Sequence, residues 1–231
     1  MNQLTGRVAV ITGASRGIGL AVATALEELG ARVVRAARSL APAESTARLD
    51  LRCDVTDPEQ VAALAQQTRS VFGVPAVVVG NAGAFMLAPL EQTQPADFTA
   101  QLSANLAGPF LVARAFLPMM KQAGGGRLIT LGSIADHRAF PDNAAYAASK
   151  FGVRGLHEAL REEYRGSGVL CTLVSPGPTD TAAWDSVDPD RREGFIPRSR
   201  MLRPEDVAEA VVWVASRAGH IDVDWIRLGP A

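Results

Sequence analysis

Apolar residues along this chain fall into short unbroken runs and longer stretches of helical period, and the two kinds alternate from one end to the other. The runs at 7–12, 32–37, 47–53, 76–79, 126–131 and 169–174 lack the in-and-out alternation of a half-exposed strand, so they predict strands buried on both faces. Between them, 17–29, 58–72, 95–121, 145–165 and 204–216 space their apolar residues as amphipathic helices do. Together they predict a doubly wound α/β fold of Rossmann type. Its parallel sheet of about seven strands has helices on both faces, in a single domain over 1–231.

Two segments break the rhythm. Residues 39–46 are too few, and too interrupted by Pro42, for a crossover helix, which predicts a loop or a single turn. Residues 180–203 follow a strand end without periodicity and carry Pro189, Gly194, Pro197 and several charges, which reads as a lid over a substrate. The final stretch, 219–231, closes a last strand and stops.

Composition narrows the class. The chain has 231 residues, 48% of them hydrophobic, and a formal net charge of −1, enough for a substantial core and without the basic excess of a nucleic-acid binder. No run approaches 18 uninterrupted apolar residues. Met1-Asn2-Gln3-Leu4-Thr5 leads directly into the first strand, so the reading is a soluble cytoplasmic protein with no targeting peptide and no membrane or nucleic-acid partner. Cys53 and Cys171 stand in apolar contexts without metal-ligand spacing and read as buried, reduced thiols; no metal site is expected.

Tyr146 and Lys150 carry the sharpest chemical signal. Four residues apart on a helix, they share one face. A free phenol titrates near 10, and bringing it to about 7 requires roughly 3 units, or about 4 kcal/mol. A cation about 4 Å away supplies that order at an effective dielectric near 20, so the spacing suits a general acid/base. Nearer the N-terminus, Thr12-Gly13-Ala14-Ser15-Arg16-Gly17-Ile18-Gly19 sits where the first strand turns into the first helix. Glycines there permit a tight turn and close approach of a pyrophosphate, whose charge the helix start favours.

T-G-x-x-x-G-x-G at 12–19 followed by Y-x-x-x-K at 146–150 resembles the short-chain dehydrogenase/reductase family. Its other marks occur in order: Asp54 in Cys53-Asp54-Val55-Thr56, Asn81-Ala82-Gly83, Asn105, Ser133 and Pro176-Gly177. The resemblance covers nearly the whole chain. It implies that Tyr146 exchanges a proton with a carbonyl or alcohol oxygen while hydride moves at the nicotinamide. It further implies that Lys150 lowers the Tyr146 pKa and binds the nicotinamide ribose, that Ser133 polarises the substrate oxygen, and that Asn105 fixes a water linking Lys150 to solvent. By the same resemblance Gly13, Ser15, Arg16, Gly17, Ile18 and Gly19 cradle the phosphates, and Asp54 and the Val55 backbone hold the adenine. Asn81, Ala82 and Gly83 line the adenosine ribose side, while Pro176, Gly177, Thr179 and Thr181 surround the carboxamide. Thr179 stands where relatives usually have Val or Ile.

Cofactor choice can be read from the end of the second strand. Ala37 occupies the position of the acidic residue that selects NAD(H), and Arg38 and Ser39 follow it. Arg38 and Arg16 offer two guanidinium groups to a 2′-phosphate, which favours NADP(H) over NAD(H). Phe85, Met86, Phe140 and Trp184 are candidate pocket walls, and His137 is the histidine nearest the chemistry. The expected function is an NADP(H)-dependent oxidoreductase acting on a small or medium carbonyl or alcohol, as a homodimer or homotetramer through its long helices. A cofactor-sensing regulator and a non-redox lyase or epimerase remain alternatives.

Overall fold

The unbroken apolar runs do become strands of one sheet. In this computed structural model, which describes residues 4–231, they are β1 (Val8–Thr12), β2 (Arg32–Ala37), β3 (Ala43–Glu44), β4 (Arg48–Arg52), β5 (Val77–Gly80), β6 (Gly126–Leu131), β7 (Val169–Pro176) and β8 (Trp225–Leu228). Their order is β3-β4-β2-β1-β5-β6-β7-β8. All neighbours are parallel except β3, which runs antiparallel to β4 through Ala43–Asp50 and Glu44–Leu49. The sheet therefore has eight strands. The short connection is an exposed two-residue edge strand, where a loop or single turn was expected, because eight residues reach back along β4 when extended but cannot form a crossover helix. Met1, Asn2 and Gln3 lie outside the described residues, and the reading of a leaderless N-terminus falls on them.

Both faces are covered, as the two-sided burial of Val-Ala-Val-Ile-Thr in β1 requires. One face packs Val10, Val34 and Leu128 beneath α2 (Pro58–Val71), α4 (Gly108–Gln122) and α5 (Ala144–Glu163), with Leu64, Phe116 and Met120 at its centre. The other packs Ile11, Val33 and Ile129 beneath α1 (Gly17–Glu28) and α6 (Pro204–Ala215), through Val22, Leu26, Val207 and Val211. The helix expected over 95–121 is divided. It comprises α3 (Pro95–Leu102), a π turn at Ser103–Ala107 and α4, and the π turn carries Asn105 inward.

Strand order reverses between β1 and β5, where β1 pairs on one side with β2 and on the other with β5. Connections there leave in opposite directions and open a crevice beyond the carboxyl ends of the strands. The catalytic candidates sit in that crevice.

Candidate active site

The glycine turn is held by its neighbours rather than by itself. Gly13 has φ +67° and Gly17 φ +54°, conformations that a side chain would strain. A Cβ on Gly19 would lie 2.3 Å from the Gly13 carbonyl oxygen, and one on Gly13 would lie 2.8 Å from Ala82 Cα. Asn81 Nδ2 donates to the carbonyls of Thr12 at 2.9 Å and Gly13 at 3.3 Å, while the Asn81 and Ala82 amides both donate to Thr12 Oγ1 at 3.1 Å. The Asn81 side chain thus staples the turn. The start of α1 receives no side-chain hydrogen bond at its N-cap and no acidic residue in its first turn, so its positive end faces outward uncompensated.

Arg16, Arg38 and Ser39 lie exposed at the open side of this turn, and Ala37 is buried. Neither guanidinium has a hydrogen-bond or ion-pair partner among the described residues. Asp54 Oδ1 accepts from the Thr56 amide at 3.0 Å and its hydroxyl at 2.8 Å. These bonds, with help from the nearby Arg38 charge, hold the Asp54 carboxyl below its ordinary range. Val55 is buried against Gly108, whose Cβ would meet Val55 Cγ2 at 2.8 Å.

At the other end of the crevice a cleft of about 760 Å³ is lined by Ser133, Tyr146, Lys150 and Asn105, together with Ile18, Asn81, Gly83, Pro176, Gly177, Thr179 and Thr181. All four catalytic candidates meet there. Ser133 accepts from the Ala135 amide at 3.1 Å and hydrogen-bonds Tyr146. Burial pushes the Tyr146 phenol up to about 12, against the opposing pull of the Ser133 bond and with a further push from Asp136. The lowered phenol expected from the Lys150 charge is therefore not realised: Lys150 Nζ stands 5.8 Å from the ring centroid and donates to the Leu131 carbonyl at 3.0 Å. Burial brings Lys150 down to about 8, with the Asp136 charge resisting.

Asn105 ties the site together. Its Oδ1 accepts from the Ala84 amide at 2.8 Å, and its Nδ2 donates to Ala84 O, Gln101 Oε1 and Ser149 Oγ at 2.9, 3.2 and 3.0 Å. Ser149 in turn donates to Tyr146 O at 2.7 Å, so the loop after β5 and the reactive turn of α5 are fastened through one amide.

Comparison with known proteins agrees with this geometry. A family model described as short chain dehydrogenase matches residues 7–192. The chain belongs to the short chain dehydrogenase family. A D-threitol dehydrogenase of Mycolicibacterium smegmatis is 36% identical over 229 residues, covering 94% of this chain and 88% of that one. Among solved structures, an alcohol dehydrogenase from Thermococcus sibiricus complexed with 5-hydroxy-NADP superposes with a TM-score of 0.85 at 27% identity, covering 97% of each chain. A metagenomic short-chain oxidoreductase in complex with NADP does so at 0.81 and 34% identity, covering 99% of each.

Short chain dehydrogenases bind a nicotinamide cofactor, and the residues here fit one. The close-packed glycine turn leaves no room for side chains, and the uncapped α1 start suits a pyrophosphate. Thr179 turns its hydroxyl to the Gly177 carbonyl at 3.0 Å and pairs through its backbone with Leu202. Thr181 caps the next turn through the Ala183 amide and its methyl lies beside Gly17, joining the two ends of the cofactor crevice.

One residue of this dehydrogenase site escaped the sequence reading. Asp136 is fully buried, its Oδ2 accepting from the Ser133 amide at 3.0 Å and the Ser175 hydroxyl at 2.5 Å, and its Oδ1 facing His137 Nδ1 at 2.7 Å. Trp225 Nε1 donates to Ser175 at 2.8 Å and completes the support. The signal lay in Ser133-Ile134-Ala135-Asp136, a serine with an acid three residues on, which forms a capping box. His137 belongs to this support and to an edge contact with Trp225, not to the cleft lining. Met86 does not line the cleft either, whereas Phe85, Phe140 and Trp184 do. Cys53 and Cys171 are buried free thiols pushed up to about 11 by burial. Among the described residues no cluster could hold a metal.

Segment 180–203 lies across the cleft. Trp184, Arg192, Glu193, Gly194, Phe195 and Ile196 all face it. Arg198 gathers the segment by binding Asp180 at 2.7 Å, Asp185 at 2.6 Å and the Thr181 carbonyl at 3.1 Å. Arg192 pairs with Asp142 at 2.8 Å, fastening the segment to the loop before α5.

Proposed function

We propose that this short chain dehydrogenase is an NADP(H)-dependent oxidoreductase interconverting a carbonyl and its alcohol, with Tyr146 as the acid/base. The observation that carries the reading is the convergence of Tyr146, Ser133, Lys150 and Asn105 on one cleft that reaches Ile18 of the glycine turn. Bound in that crevice, the nicotinamide supplies or accepts the hydride. Tyr146, held protonated at neutral pH, gives its proton to the carbonyl oxygen during reduction and recovers it from solvent. Ser133, fixed by its Ala135 bond, adds a hydrogen bond where negative charge develops on that oxygen. Lys150 keeps donors beyond its Leu131 bond for the cofactor ribose. Any water relay at Asn105 is held by its main chain, because both amide hydrogens are spent on Ala84, Gln101 and Ser149. The 180–203 segment serves as the lid.

Arg16 and Arg38, both exposed beside the buried Ala37, support NADP(H) over NAD(H). Charge-assisted hydrogen bonds to a 2′-phosphate contribute about 1.5–3 kcal/mol each. Arg38→Asp is expected to cut the ratio of NADPH to NADH efficiency at least about tenfold; an unchanged ratio rejects the assignment. The reaction itself is tested by following NADPH absorbance with a carbonyl panel, and NADP+ with the alcohols. Tyr146→Phe keeps the ring and loses the proton, so turnover should fall by about 10²-fold or more, while NADPH titrates as in the parent. Near-normal turnover in that variant refutes the role.

A further inference from the structure

One wall of the cleft is aromatic. Phe85 packs edge-on against Tyr146 with ring centroids 5.0 Å apart, Trp184 lies 4.8 Å from Phe85, and Phe195 lies 6.3 Å from Trp184. These rings form a continuous wall that begins at the reacting phenol. Leu87 and Ile196 extend the apolar lining.

Polar side chains that line this part of the cleft are few, and they are engaged through their oxygens or exposed. Asn143 Oδ1 accepts from the Phe140 amide, and Thr181 Oγ1 from the Ala183 amide. Arg192 is exposed, ion-paired with Asp142 and stacked over Phe195 at 4.8 Å; Glu193 is exposed as well. Beyond Ser133, Tyr146, Lys150 and the Asn143 amide, little remains to bind a row of substrate hydroxyls. A polyol reaching along the aromatic wall would surrender water from its distal hydroxyls without replacement, a mismatch that sites punish heavily. An aryl group would instead bury its faces against Phe85 and Trp184, in the tilted and edge-on geometries that aromatic rings favour.

We propose that this enzyme takes an aryl ketone and its aryl carbinol as substrates, the aromatic group lying against the wall of Phe85, Trp184 and Phe195 with the reacting oxygen at Tyr146 and Ser133. The inference rests on the oxidoreductase reading for the reacting bond and on the ring geometry alone for the pocket. In reduction the carbonyl carbon gains a hydride with its two electrons from NADPH, the oxygen gains the Tyr146 proton, and NADP+ and the carbinol leave. It sets this chain apart from its relative named for D-threitol, whose substrate is a polyol.

Calorimetric titration of the full chain, with and without NADP+, tests the pocket apart from the chemistry. The probes are 1-phenylethanol and threitol. The aryl alcohol should bind at least tenfold more tightly than the polyol, and Trp184→Ala should weaken it at least fivefold while NADP+ still titrates as in the parent. Retained NADP+ binding certifies that the variant is folded, and Phe195→Leu provides a second, milder probe of the same wall. Equal or tighter binding of threitol overturns the proposal, as does aryl binding that neither variant weakens. Measured alongside, acetophenone reduction with NADPH should exceed reduction of erythrulose, the ketose of a tetritol, at least tenfold in kcat/KM. Aryl-selective binding without hydride transfer to either ketone would leave the pocket standing and remove the oxidoreductase reading. Turnover confined to erythrulose would do the reverse.

Discussion

Lys150 is a buried cation whose ammonium has one carbonyl partner, Leu131 O, and the cost of that burial is visible in its pKa. In the unfolded chain the lysine titrates near 10.5, in the folded protein at about 8. Between those values the unfolded state holds more protons, so this residue's contribution to stability rises with pH. Below about 8 the charged form is buried and its penalty is felt in full. Tyr146 acts in the opposite sense and in a higher window: its folded pKa of about 12 lies above the ordinary 10, so its stabilisation is complete below pH 10 and lost as pH climbs through 12. Comparing the parent with Lys150→Met in urea at pH 7.5 and pH 10 isolates the lysine. The parent should gain on the variant by on the order of 2 kcal/mol between the two pH values, at 1.36 kcal/mol per unit. A constant difference would mean that Lys150 does not titrate in that window.

At the scale of elements, segment 180–203 shows how charge holds a stretch that has almost no regular structure. Within it, Arg198 binds two carboxylates and a carbonyl, and its own amide donates to Asp190 Oδ1 at 2.9 Å. Arg198→Met keeps the stem and removes the fork. Such exposed pairs contribute about 0.2–1 kcal/mol each, so the fold should persist while the segment loosens. KM for the substrate should rise about three- to tenfold with cofactor affinity unchanged, and limited proteolysis should cut within 180–203 first; unchanged KM and cleavage would show that the cluster does not set the segment's position. The sequence announced this segment through its lack of period, yet not its anchors, because Arg198, Asp180 and Asp185 are local neighbours only once the turns form. The strands were legible for a firmer reason: Val-Val-Val-Gly and Val-Ala-Val-Ile-Thr are apolar on both sides, which a parallel sheet alone demands. Asn105 was legible as a site residue but not as the centre of a π turn, since Ser103-Ala104-Asn105-Leu106-Ala107 sits inside an uninterrupted helical pattern. Asp136 went unread because its partner Ser175 is 39 positions away on β7, a distance only topology closes.

For the whole molecule the unresolved balance is on the outer face of α3, α4 and α5. The run Pro95–Gln122 is 28 residues long and, by length and composition, apolar enough to cross a membrane. Part of that apolarity is covered: Val112, Phe116, Leu117 and Met120 are buried in the core. Other apolar residues of the run, and of the neighbouring α5, face outward. Phe98, Phe110 and Phe151 are 41%, 47% and 43% exposed, and a hollow of about 360 Å³ lined by Leu102, Leu106, Phe110 and Leu156 lies between the helices. Fully burying a phenylalanine contributes about 1.5–3 kcal/mol, so covering the exposed part of these three rings would favour association by a fraction of that each. A second copy of the same face would supply matching rings and hollow by symmetry, and we propose a homodimer through the long helices. Phe110→Glu places a carboxylate in that hollow and, opposite it, its symmetry mate. Light scattering should give at least a dimer mass for the parent and the monomer mass for the variant, with far-ultraviolet circular dichroism unchanged because Phe110 is outside the core. A parent that is monomeric at micromolar concentration, or a variant that retains the parent's mass, would place the contact elsewhere.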